Sequence, residues 1–146
     1  GRSDTYPKRR GMTRVPELMA AGIDVAFGHD CVMDPWYSLG SGDMLEVAHM
    51  GLHVAQMTGI DAMHACFDAV TVNAARILGL EGYGIAPGCA ANCVVLDARD
   101  EVEALRLRAA RLAVVSRGRV VSRSPAARAM LSLEGRPAQV DFRLHR

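Results

Sequence analysis

Ile23-Asp-Val-Ala-Phe27 is followed at once by Gly28 and then by the polar triplet His29, Asp30 and Cys31. Val25, Ala26 and Phe27 make a short apolar run of the kind carried by a strand covered on both faces, so residues 23–27 read as a buried strand. Gly28 permits a sharp turn or a close backbone approach. A carboxylate just beyond the end of a buried strand is where α/β barrels keep their chemistry, which makes Asp30 the leading candidate for a catalytic or metal-binding group. Taken alone, an aspartate in this place more often serves as a turn residue capping local N–H groups.

The flanking sequence supports an α/β reading. Thr13 and Pro16 are start signals for a short helix over residues 15–21, and Gly22 suits its end. Residues 28–42, rich in Gly, Asp, Pro and Ser, form a long loop of the kind that more often serves function than mere connection. Ser41 or Asp43 then caps a helix over residues 44–57. Leu45, Ala48, Leu52 and Ala55 give it one apolar face, and Val47, Met50, Val54 and Met57 widen that face enough to imply burial or a subunit contact. A second helix is expected over residues 61–78. From Leu80 the texture changes, and residues 80–88 are the candidate boundary. Residues 93–96 read as a strand and 101–108 as a helix. Residues 113–116 and 119–122 flank Arg117-Gly118 as a hairpin. Residues 129–133 and 139–142 are further candidate strands.

Composition narrows the function classes. Seventeen basic and sixteen acidic side chains leave a net charge of +1, which gives no electrostatic footprint for nucleic acid or an anionic membrane. No apolar run reaches the roughly 18 residues of a membrane span. Four cysteines scattered without a secretory signal suit reduced thiols in the cytoplasm. Cys89 and Cys93 lack the second ligand pair of a zinc knuckle. The chain of 146 residues begins without a methionine, in what reads as a loop under way. It falls well short of the ~250 residues of a typical complete barrel. A truncated chain is the expectation.

The segment Gly28-His-Asp-Cys-Val-Met-Asp-Pro-Trp-Tyr37 resembles the one that follows the eighth barrel strand in bacterial cytosine deaminases, of the amidohydrolase superfamily. Asp4-Thr-Tyr-Pro-Lys-Arg-Arg-Gly11 resembles the loop before the last helix–strand unit. His49-Met-Gly-Leu-His53 and Asn73-Ala-Ala-Arg76 resemble the helices beyond it. The likeness covers nearly the whole chain, as the C-terminal third of such an enzyme. It implies an α/β fold in which residues 1–80 form the C-terminal part of a metal-dependent (β/α)8 TIM barrel, and residues 81–146 contribute C-terminal strands and a short helix to a small β-sandwich.

The resemblance also implies roles. Asp30 is expected to ligate one divalent metal, Zn²⁺ or Fe²⁺, and to accept a proton from the attacking water. His29, its neighbour, points to the other side of the chain and is expected to anchor the loop or to support the metal site indirectly. Trp36 is expected to wall a pyrimidine ring, although a loop tryptophan is also a common packing anchor. Cys31 stands where the family carries an aspartate facing the substrate, and a smaller, uncharged thiol favours a ring substituted at C5, such as 5-methylcytosine. No base is readable near Cys31 that would make it a nucleophile. His49 and His53, at i and i+4, have no intervening glutamate and read as core or interface residues.

The expected function is therefore that of a fragment of a hydrolytic deaminase, releasing ammonia from cytosine or a 5-substituted cytosine. A catalytic metal needs about three protein ligands, so the fragment alone is expected to be inactive. Alternatives are an aminohydrolase acting on an isocytosine, triazine or purine-like ring, or a non-catalytic oligomerisation module built on the apolar helix. The expected partner is a small-molecule nucleobase, with no nucleic acid or membrane, in a homo-oligomer.

Overall fold

A computed structural model describes Thr5 and residues 11–140 of the chain. It forms two compact units, one ending at Leu78 and the other beginning at Gly79.

The first unit is helical. Helix α1 (Val15–Ala20) starts with Pro16 in its first turn, where the missing N–H costs nothing. Arg14, not Thr13, is its capping residue, and no side chain caps it. The Gly22 N–H reaches Met19 O and the Ile23 N–H reaches Leu18 O, which closes the helix end as the glycine there predicts. Helix α2 (Met44–Val54) is capped by Asp43, whose carboxylate accepts from the N–H groups of Leu45 and Glu46. Ser41 supports that cap, accepting from the Asp43 N–H and donating to Glu46. Leu45, Ala48, Gly51 and Leu52 are buried, while Met50 and Val54 remain exposed, so the apolar band is narrower than the sequence suggests.

The single helix expected over 61–78 is two helices. Helix α3 (Ile60–Asp68) and helix α4 (Val72–Ile77) are separated at Thr71, which lies at φ −126° and ψ −97°. Its hydroxyl donates to Phe67 O at 2.8 Å, an alternative to the helical backbone pattern that β-branched, hydroxyl-bearing residues offer.

Residues 23–27 form no strand. A parallel strand exists only through its neighbours' ladders, and no strand pairs with this segment among the described residues. The helices hold it instead. Arg76 Nη1 meets Asp24 Oδ1 at 2.6 Å, Asn73 Nδ2 donates to Val25 O at 3.4 Å, and the Phe27 N–H donates to Ala69 O at 2.9 Å. The partners run in opposite directions. Ile23 itself is 52 % exposed.

The second unit holds a three-stranded antiparallel sheet in the order β1-β2-β3, from β1 (Cys93–Leu96), β2 (Arg111–Ser116) and β3 (Arg119–Arg123). The hairpin turn is Arg117 (φ 49°) and Gly118 (φ 75°), two left-handed residues whose twist matches that of the strands they join. Helix α5 (Glu101–Leu107) is capped by Asp100. Its buried Glu103 accepts from the Arg99 N–H and from the Arg99 guanidinium. The strands expected over 129–133 and 139–142 reduce to one bridge between Met130 and Gln139, and Phe142 lies outside the described residues. No helix among the described residues is long and apolar enough to cross a membrane.

Candidate functional site

The loop after Phe27 closes on itself in three places. At its base, a Cβ on Gly40 (φ 97°) would come within 2.5 Å of Cys31 O and 2.6 Å of His29 Cε1, so only glycine lets the returning chain lie against the outgoing one. Halfway along, the Met33 N–H donates to Leu39 O at 3.1 Å. At the tip, the Asp34 N–H donates to Tyr37 O at 3.1 Å. Asp34 Oδ1 accepts from the N–H groups of Trp36 and Tyr37, both at 2.9 Å. That side-chain closure is the turn chemistry which Asp-Pro favours.

The predicted residues sit along this loop. Asp30 is exposed, with its Oδ2 3.6 Å from Cys31 Sγ. His29 is half-buried, its ring against the Gly40 backbone. Trp36 is 83 % exposed and is not packed as an anchor. The Cys31 thiol is pushed up to about 11 by its hydrogen bond to Asp34, by partial desolvation and by the charges of Asp30 and Asp34. The Asp34 carboxyl is held below the usual carboxylate range by that thiol and by the N–H groups of Tyr37, Trp36 and Val32. The direction of the Cys31 shift disfavours the thiolate, the nucleophilic form.

Elsewhere, His49 and His53 pack edge to face with ring centroids 4.6 Å apart. A concavity of about 350 Å³ lies in the second unit, lined by residues from Gly84 to Cys93 including Cys89 and Asn92, and no residue of the 29–40 loop contributes to it. Sequence reading missed Gly40 and Gly51, whose importance rests on contacts with residues distant along the chain.

The Amidohydrolase family matches residues 1–122, and the chain belongs to that family. Its solved neighbours include 5-methylcytosine deaminase from Klebsiella pneumoniae. In the form liganded with 5-fluorocytosine the match has a TM-score of 0.82 and 44% identity, over 90% of this chain and 32% of that one. In the form liganded with phosphonocytosine the values are 0.80 and 45%, over 87% and 31%. N-isopropylammelide isopropylaminohydrolase from Burkholderia multivorans matches with a TM-score of 0.73 and 39% identity, over 77% of this chain and 29% of that one. Among curated relatives, pterin deaminase from Rhizobium rhizogenes is 33% identical over 81% of this chain. N-isopropylammelide isopropyl amidohydrolase from Pseudomonas sp. is 32% identical over 73%. The chain spans 27% of the length of each of these two relatives.

Members of this family generally use a divalent metal. The described residues do not by themselves fit one. No group of three or more His, Cys, Asp or Glu side chains among them is placed to hold an ion. Asp30 offers one carboxylate, with the Cys31 thiol 3.6 Å from it. No catalytic step follows from these residues alone.

Proposed function

We propose that this chain is the C-terminal part of a hydrolytic deaminase acting on cytosine or a 5-substituted cytosine such as 5-methylcytosine. Residues 1–80 are assigned to the end of a TIM barrel and residues 81–146 to a β-sandwich. In the longer protein Asp30 supplies a carboxylate oxygen to a divalent metal, Zn²⁺ or Fe²⁺, and accepts a proton there. Trp36 and Cys31 face the ring, and His29 secures the loop on which all of them ride. The observation that carries this reading is the 44–45% identity to 5-methylcytosine deaminase across a stretch that includes the loop. A neutral thiol at position 31 is compatible with a methyl group nearby, and an accommodated methyl is worth ~1–3 kcal/mol. The enzyme is placed in the cytoplasm, as a homo-oligomer.

A second reading has its own support. Relatives named for N-isopropylammelide and pterin hydrolysis, at 32–33% identity, favour an aminohydrolase acting on a triazine or a fused ring. A third, non-catalytic reading makes the exposed Met50 and Val54 of α2 an oligomer contact.

Ammonia release by the longer protein, measured as kcat/KM on cytosine, 5-methylcytosine, isocytosine, ammelide and pterin, separates the three. The proposal expects 5-methylcytosine to be turned over at least as well as cytosine, and Asp30→Asn to lose both metal and activity. A clear loss with the methyl group, or full metal content in Asp30→Asn, overturns it. Turnover by the 146-residue chain alone overturns the view that its partners in catalysis lie elsewhere.

A further inference from the structure

We infer that Asp34 is a positioning residue, the carboxylate that fixes the backbone carrying Trp36 and so sets how the loop grips a ring. This rests on the reading above, in which the loop faces substrate.

Trp36 is 83 % exposed, so its indole has no packing of its own to hold it. Its direction is set by its backbone, and that backbone is set by Asp34. One carboxylate oxygen accepts both the Trp36 and the Tyr37 N–H groups at 2.9 Å, while the Asp34 N–H returns to Tyr37 O at 3.1 Å. Pro35 between them has a fixed φ and no N–H to divert. Below the tip, the Met33–Leu39 bond and the Gly40 contact keep the loop's two arms together. Charge-assisted bonds such as those Asp34 accepts are the strong ones, and a fixed wall spares the ligand the cost of ordering it. With Oδ1 engaged by both N–H groups, Asp34 acts as a brace for the turn.

The test uses the longest natural form of the protein, labelled with 5-fluorotryptophan, with the Trp36 resonance identified by its loss in Trp36→Phe. Asp34→Ala should broaden or shift that resonance and raise KM for the best pyrimidine substrate about tenfold, with kcat within about twofold, because orientation at the ring is lost while the reacting atoms are untouched. Asp34→Asn, whose amide oxygen still accepts both N–H groups, should restore KM to within about threefold of the original. In the unsubstituted protein the Trp36 and Tyr37 amides should exchange with solvent at least about tenfold more slowly than open-chain amides. Open-chain exchange at both, or an Asp34→Ala protein with unaltered resonance and KM, overturns the inference. So does an unaltered resonance with Asp34→Asn as defective as Asp34→Ala, since the carboxylate would then act on substrate or metal directly. If the protein deaminates none of the rings, the functional reading fails, while the resonance and the exchange rates still decide the role of Asp34.

Discussion

The ring of Phe27 occupies the space that a side chain at Gly51 would need: a Cβ there would come within 2.6 Å of Phe27 Cε2. Two effects oppose each other at this position. Replacing a helical glycine by alanine gains up to about 1 kcal/mol of helix propensity. Overpacking a tight contact costs about 1–3 kcal/mol. Gly51→Ala should therefore destabilise the protein on balance in urea unfolding. In a Phe27→Ala background, with the ring removed, the same substitution should become neutral or stabilising.

The Arg76–Asp24 pair bridges 52 residues, yet both side chains are about half exposed. Exposed pairs contribute little, so Arg76→Ala should cost less than about 1 kcal/mol. Most of that difference should disappear in 1 M salt, where the screening length is about 3 Å. A loss that is larger and insensitive to salt would mean the guanidinium acts through packing.

Cys66 is fully buried with its Sγ 3.7 Å from Met57 Sδ, and burial pushes its thiol from an ordinary 9.0 up to about 11. The folded state thus keeps a proton that the unfolded chain releases. Stability from this group is complete below pH 9 and falls as pH rises toward about 11. Replacing Cys66 by alanine should lower stability at neutral pH through the lost packing and flatten the alkaline decline. Chemical unfolding at several pH values between 8 and 11 would measure both.

Arg117 holds φ 49° at the first position of the hairpin turn, where a side chain pays for a left-handed backbone. Its N–H donates to Asn92 Oδ1 at 2.8 Å, a bond any residue but proline can make. Arg117→Asn should stabilise the hairpin by roughly 0.5–1 kcal/mol, because asparagine tolerates this conformation. Gly118→Ala, at φ 75°, should destabilise it. Thermal melting of the two variants in opposite directions is the expected outcome.

What could be read from sequence was what neighbouring residues decide. Residues 93–96 and the Arg117-Gly118 hairpin fall where they were expected, because turn chemistry and alternation are local. Residues 23–27 were expected as a strand and form none because a strand is made by its partners: no strand pairs with the segment among the described residues, and Asn73, Arg76 and Ala69 hold it. The break at Thr71 was hidden because periodicity continues across it, and only a hydroxyl turned back to Phe67 O interrupts the helix. Asp30 was noticed through its place just after residues 23–27, and Cys31 and Trp36 through the family likeness of their surroundings. Their side chains alone would have passed for turn and surface residues.

His29 and Gly40 abut, so the intervening stretch leaves the scaffold and re-enters it through one doorway. An insertion or exchange between those two points leaves α2 and the clamped segment where they are. Sequence change within those ten residues can therefore proceed with no need to rebuild the architecture that carries them.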